Sequence, residues 1–427
     1  MKKQKGFILK IIMICTIVSA NFTKTAQADE ANNEDYLGEA NHENLLDDVD
    51  FNEFETTAGI IKESSDTESV NWMQGFKGQF QYDITKAQAA GDIERSQIGI
   101  EYQGSFASGW FMNIKSFYRY YGDEDILAKD RDGAYGHKEV QRFWLQYSQN
   151  QCAHTVGRQV LVWGEVDGTF SVDVVSPLDF SEQLFTDYDE VRVAQDMWVM
   201  DCYLGRVQTQ FFVSHESKTH IFPERNINLD KGHEELGGRI KLSLSGLDVS
   251  LMMAQLNSNM PVVNVQTFEL ESNDYQMLGI SFSKARGRLL INGDMAYKTK
   301  QLNDVLAEPS DTFELALGVE YTLADNQHFN AGIWQVRSLD DEKNNRPLLM
   351  TLGWQQNYLH YELAMSLLSN FSQEPEFQSI TVLAAYKLTD IFTVSSAVSL
   401  ANRNEEDFTE LQVPVKKAWS LSIKMGI

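Results

Sequence analysis

The last nine residues, Trp419-Ser-Leu421-Ser-Ile423-Lys-Met425-Gly-Ile427, put a large apolar side chain at every odd position. Every even position is Ser, Lys or Gly. Successive side chains of a strand point to opposite faces, so this stretch has one greasy face and one polar face. Such a strand suits an ordinary soluble sheet or the wall of a membrane β-barrel. In a barrel the odd positions meet lipid and the even positions line the lumen.

The N-terminus favours the barrel. Lys2, Lys3, Lys5 and Lys10 precede a short apolar run, Ile11 to Ala20, and then Ala26-Gln27-Ala28. That is the layout of a secretory signal over residues 1–28, with cleavage expected before Asp29. Cys15 follows bulky Ile14, a poor lipoprotein site. The apolar run is well short of the roughly 20 residues of a membrane helix, and nothing later in the sequence reaches that length. An exported chain without a membrane helix can still cross a membrane as a closed barrel.

Composition agrees. Mean hydropathy is -0.34, as expected where only alternate residues meet lipid. Seven prolines in 427 residues suit a strand-rich wall. The net charge of -25 argues against nucleic acid as a partner. Residues 29–70 are distinct: 14 Asp or Glu against Lys62 alone. They read as an acidic, partly disordered periplasmic leader, or as a segment tucking into the barrel mouth. Asp48, Asp50 and Asn52 have the spacing of a calcium loop but lack its Gly and closing Glu, so no metal is expected.

From Trp72 onward alternating segments recur. The pattern predicts eighteen strands over 71–427: 73–84, 94–106, 109–121, 138–149, 155–163, 195–204, 206–215, 234–245, 247–256, 275–284, 287–299, 311–323, 327–337, 347–356, 358–369, 377–388, 390–401 and 415–427. Sixteen follow if one weak hairpin is false. The connections alternate long and short throughout, as short periplasmic turns and longer outer loops would. A soluble sandwich or propeller has no reason to keep that parity. The expected fold is all-β: a transmembrane, antiparallel up-and-down barrel in the outer membrane of a Gram-negative cell.

The longest connection, 164–194, is long enough to be functional and is expected to fold inward and narrow the lumen. Its polar candidates are Arg158, Glu165, Asp167, Asp173, Asp179 and Arg192. Arg158 shares parity with Val156, Val160 and Val162. A charge at mid-membrane on the lipid face costs about 2–4 kcal/mol, so Arg158 is expected to face inward and pair with an acid of the following loop. Cys152 and Cys202 fall at the periplasmic ends of neighbouring strands, where a disulfide or two small apolar wall residues are the alternatives.

The run Gly157-Arg158-Gln159…Trp163-Gly164…Asp173…Ser176-Pro177-Leu178-Asp179 resembles the motif of a family of Gram-negative outer-membrane proteins known as DUF1302. That family commonly shows G-R-Q-x-x-x-W-G and then N-P-x-D, and Ser176 stands where the pattern has Asn. The resemblance covers about 25 residues. It implies a porin-like barrel connected with envelope export or lipid handling. A looser resemblance is to alginate-export barrels, which the acidity of this chain fits poorly.

No catalytic set stands out. His154, Ser214-His215-Glu216, His220 and His233 are the candidate bases, but Ser214 and His215 point to opposite faces of one strand. There is no G-x-S-x-G, and no cofactor is implied. The expected function is a non-enzymatic channel or export component. A barrel-wall lipid hydrolase and a structural or adhesive barrel are the alternatives. Expected partners are outer-membrane lipid, the barrel-assembly machinery through Trp419 to Ile427, and an envelope export partner.

Overall fold

The computed structural model describes residues 75–426, apart from parts of the connections at 88–90, 123–135, 180–190, 222–231, 261, 264–269, 302–308, 341–347, 373–376 and 404–416. The signal, the acidic segment with its Asp48–Asp50–Asn52 run, and Ile427 lie outside the described residues.

Alternation carries through to the wall. In order, the strands are β1 (Phe76–Ala87), β2 (Gly91–Ala107), β3 (Trp110–Tyr121), β4 (Gly136–Gln149), β5 (Cys152–Gln159), β6 (Gln195–Leu204), β7 (Val207–Ser214), β8 (Glu235–Leu244) and β9 (Leu247–Asn257). Next come two short strands, β10 (Val262–Val263) and β11 (Leu270–Glu271), then β12 (Asp274–Arg286), β13 (Leu289–Gln301), β14 (Ser310–Ala324) and β15 (Gln327–Ser338). The last are β16 (Leu349–Tyr358), β17 (Leu363–Ser372), β18 (Phe377–Thr389), β19 (Phe392–Arg403) and β20 (Lys417–Gly426). All except β10 and β11 form one 18-stranded sheet.

Each wall strand pairs antiparallel with its neighbours in sequence, β9 pairing with β12 across the small β10–β11 hairpin. The sheet closes where β20 pairs with β1, from Gln79↔Gly426 to Ala87↔Ala418. Closure leaves no sheet edge and satisfies the backbone within the wall, as a barrel in lipid requires.

The closing strand fixes inside from outside. Trp419, Leu421 and Ile423 are 42%, 37% and 39% exposed, whereas Ala418 and Ser420 on the other face are 3% and 6%. The exposed set recurs around the wall as Ile98, Ile100, Leu251, Met253, Leu317 and Leu352. Cross-strand partners share a face, so the register carries this assignment to every strand. The outer face is the apolar band of a membrane barrel.

One end of the barrel is made of tight turns. Gly205 (φ 67°) and Gly246 (φ 68°) occupy the left-handed region, which lets two-residue turns close β6–β7 and β8–β9 without strain. The long connections lie at the opposite end. Below, these are the turn end and the loop end.

The structure corrects three strand limits. β17 begins at Leu363 rather than at residue 358, after a turn at 359–362. β1 and β2 stay paired out to Ala87↔Gly91, so their connection is shorter than the 85–93 expected. β5 stops at Gln159 rather than at residue 163. The alternating burial of Val160 to Trp163 belongs to a chain already inside the lumen, not to the wall.

Candidate functional site: a loop folded into the lumen

β5 is the shortest wall strand together with β7, and its sequence explains where it leaves the wall. Gly157 sits at φ 128°, and a Cβ there would lie 2.3 Å from the Phe143 carbonyl oxygen, so only glycine fits. Gln159, nearly buried, donates from Nε2 to the Met197 carbonyl at 3.2 Å. Beyond it the chain turns inward.

The residues that follow are apolar because they replace water in the lumen. Leu161, Trp163, Val172, Val174 and Val175 pack with the inward side chains Met197, Val199, Phe212, Met252, Ala254, Leu256 and Met277. Trp163 is fully buried, edge-on to Phe212, and its indole N–H donates to Gln210 Oε1 at 2.7 Å. Farther along, Val166 joins Ala316, Trp334, Val336 and Leu349, with Phe170 edge-on to Trp334. The loop therefore reaches from β5 and β6 to inward side chains of β14, β15 and β16.

Two inward glycines and two inward charged groups give it its place. A Cβ on Gly279 would sit 2.7 Å from Val172 Cγ1, and one on Gly237 would sit 2.7 Å from Phe212 and 2.9 Å from Trp163. Asp294 on β13 accepts the backbone N–H of Glu165 at 3.1 Å and of Val166 at 2.9 Å. Lys298 donates to the Phe170 carbonyl at 2.9 Å and pairs with Glu314 at 2.7 Å, both buried. A half-satisfied buried network costs more than an apolar core, so these contacts fix the loop as well as hold it.

The outgoing and returning limbs are stitched together. Asp173 and Arg192 form a buried ion pair. Ser176 Oγ accepts the Leu161 N–H at 2.8 Å, and the Pro177 carbonyl accepts the Val193 N–H at 2.8 Å. Gly164 packs against this limb, where a Cβ would meet the Asp173 Cβ at 3.0 Å. The connection after β7 then docks on the tip: the Leu178 N–H donates to His220 Nδ1 at 2.9 Å, and the Ile221 N–H donates to the Leu178 carbonyl at 3.0 Å. Burial pushes the His220 imidazole down to about 3. Burial also lowers the Lys218 ammonium.

Of the residues expected at this site, Asp173 and Arg192 are brought together, and Glu165 comes within 3.8 Å of Lys241. Asp167 and Asp179 are half-buried on the loop, and Asp179 bridges to Ile221. Arg158 corrects the expectation. It stands opposite Phe143 on β4 and Asp196 on β6, on the face of exposed Val156, and so points outward. It pairs with Asp196 at 2.8 Å, with the side chains 35% and 63% exposed. Asp196 is the second residue of β6, next to the loop end. Near an interface, and with its countercharge beside it, an outward arginine costs little. Cys152 and Cys202 stand opposite each other on β5 and β6 and are joined by a disulfide at the turn end.

Ser214 Oγ faces inward and lies 3.3 Å from the Asp196 and Glu216 carbonyls, while His215 faces outward beside Glu234. His233 pairs with Asp274 at 3.0 Å, and His154 stacks on Trp198. Asp294 and Lys298 were missed in the sequence. Their signal was present: two charges sharing the parity of Ala296 in a strand of Leu, Ile, Met and Tyr can only face inward.

Across from the loop, the inward faces of β1–β4 carry ions. Arg95 pairs with Asp83 at 2.9 Å, and Arg119 pairs with Glu139 while its Nε donates to Gln97 at 2.6 Å. The inward faces of β17–β20 are mostly small and polar, including Ser366, Asn370, Thr381, Ser395 and Ser422. The loop packs against the β5–β16 side of the lumen, and this polar wall stands opposite it, with Gln97, Arg119, Asn370 and Thr381 themselves buried.

No protein-family model matches the chain, and no curated protein matches it. Among solved structures the fold is similar to that of OpdK from Pseudomonas aeruginosa, crystallised with vanillate: TM-score 0.58, 7% identity, 82% of this chain and 98% of that one. OpdK is an outer membrane protein. It is also similar to OccAB3 from Acinetobacter baumannii, with a TM-score of 0.56, 9% identity and the same coverage. At such identities the likeness is one of architecture, an 18-stranded antiparallel barrel.

Proposed function

We propose that this chain is an outer-membrane channel, with its turn end in the periplasm, that passes small solutes along the polar wall left beside the inward loop. The observation that carries this reading is the loop itself. A barrel serving only as an anchor or adhesin has no use for a buried, hydrogen-bonded segment that reaches inward side chains of β14–β16. The apolar outer band supports the membrane location. The likeness to the outer membrane protein OpdK supports the channel, as does the resemblance of Gly157 to Asp179 to the DUF1302 motif. The reading is non-enzymatic, because Ser214 and His215 diverge. Assembly through the apolar-ended strand Trp419–Ile427 is part of the same proposal, as are a cleaved signal and an acidic periplasmic segment over 29–70.

The test is single-channel conductance of the purified protein in a planar bilayer, beside a variant lacking residues 170–190. Steady conductance that rises on deletion supports the reading. Silence of both proteins sinks it.

A further inference from the structure

The turn-side half of the lumen carries opposite charge on its two sides. Beyond the closed pairs Arg95–Asp83 and Arg119–Glu139, the inward faces of β18–β20 and β1–β4 present Lys77, Lys115, Arg142, Lys387 and Lys424 against Glu101. Lys387 and Lys424 flank Thr393 on one inward row, and Lys77 is the second residue of β1. These three lysines are exposed, and the Lys115 ammonium stands 5.2 Å over the Phe117 ring.

The facing arc has the other sign. The inward faces of β6–β14 present Asp201, Asp248 and Glu320, and the loop adds Glu165, against Arg239 and Lys241. All four acids keep some exposure. Lys241 is shared between two of them, 3.8 Å from Glu165 and 3.4 Å from Asp248. The other inward acids of this arc, Glu235, Asp294 and Glu314, are buried.

Closure of the sheet sets the two arcs face to face. In the closed order of eighteen strands, β1 is nine strands from β12 by either route, and β20 is nine from β9. Five cations against one acid leave +4 on the first arc, and four acids against two cations leave −2 on the second. A lumen of one sign sorts solutes by net charge. A lumen with opposed walls acts on a dipole. A molecule with an ammonium at one end and a carboxylate at the other gains at both walls, whereas a simple ion is drawn to one and repelled by the other. We infer that the channel favours zwitterions of the free amino acid type over uncharged solutes of the same size. The inference rests on the channel reading and names its substrate class.

The experiment is the swelling of proteoliposomes that hold the full chain, in about 0.01 M salt, where the screening length is about 30 Å. The solutes are three isomers built from the same atoms: lactamide is uncharged, and alanine and β-alanine are zwitterions. Their charges are about 3 Å and about 4–5 Å apart. With the wall charges about 8 Å to either side of the solute in water, alanine should enter roughly twofold and β-alanine roughly threefold faster than lactamide. Ratios within one preparation cancel the amount of inserted protein. K77Q/K387Q/K424Q should roughly halve the field and lower both ratios. Adding D248N/E320Q to it should bring both close to one.

Equal entry of the three isomers into wild-type vesicles overturns the inference while leaving the channel standing. So do wild-type ratios that persist in both variants. Lactate entering faster than either amino acid also overturns it, in favour of a path for anions. No entry of any solute overturns the channel reading, and the inference with it.

Discussion

Acidification should undock the tip of the inward loop, and His220 sets the window. Its Nδ1 accepts the Leu178 N–H at 2.9 Å, so the docked imidazole is neutral, with its proton on Nε2. Burial holds its pKa near 3 against an ordinary value of 6.5. The docked state thus resists a proton that the undocked state accepts. Docking is at full strength above pH 6.5, weakens as the pH falls, and loses nothing further below about pH 3. The difference of about 3.5 pK units gives a loss of about 2 kcal/mol at pH 5, some thirtyfold in the docking equilibrium, and about 3 kcal/mol at pH 4. Hydrogen exchange read by mass spectrometry on peptides covering 174–179 and 218–221 measures this directly, after correction for the intrinsic rates. Their protection should drop between pH 7 and pH 5 while β12–β15 stays protected. His220→Gln keeps an acceptor for Leu178 but does not titrate, so its protection should not change with pH. Equal pH dependence in the wild type and His220→Gln would refute the assignment to this histidine.

Other expectations follow from the same contacts. Asp294→Ala strips the acceptor from two loop amides, at about 1–3 kcal/mol for each buried donor left unpaired. Bilayer recordings should show a noisier and larger conductance, while the melting of the wall, read by β-sheet circular dichroism, stays put. Gly279→Val drives methyls into Val172 and should expel the same segment, at a cost of about 1–3 kcal/mol. Protease cleavage within the loop would then appear, and its absence would refute the close approach. Removing the disulfide with C152S/C202S should cost at most about 4 kcal/mol, from the chain entropy of a loop of 50 residues. The loss should be well below that ceiling, because β5 and β6 are held by their neighbours on both sides. The temperature at which the folded band disappears on an unheated-to-heated gel series reads it.

The sequence by itself determined what is local. Alternation of side chains is a property of neighbouring residues, so eighteen strands, their rough limits and the outward face of Trp419, Leu421 and Ile423 could all be read before any fold was known. Parity of connection lengths is nearly as local, and it gave an up-and-down barrel rather than a sandwich. Tertiary structure decided everything that depends on which face is which and on contacts far apart in sequence. Positions 156 to 162 alternate equally well in either sense, so the direction of Arg158 rested on a cost that Asp196 and the nearby rim remove. Val160 to Trp163 alternate like a strand because lumen packing also buries every second residue, and only the turn inward at Gln159 separates the two cases. Asp294 meets Val166 from 128 residues away, and Gly279 makes room for Val172 from another strand. Closing the sheet on itself brings these residues to one lumen, and no window of sequence contains that closure.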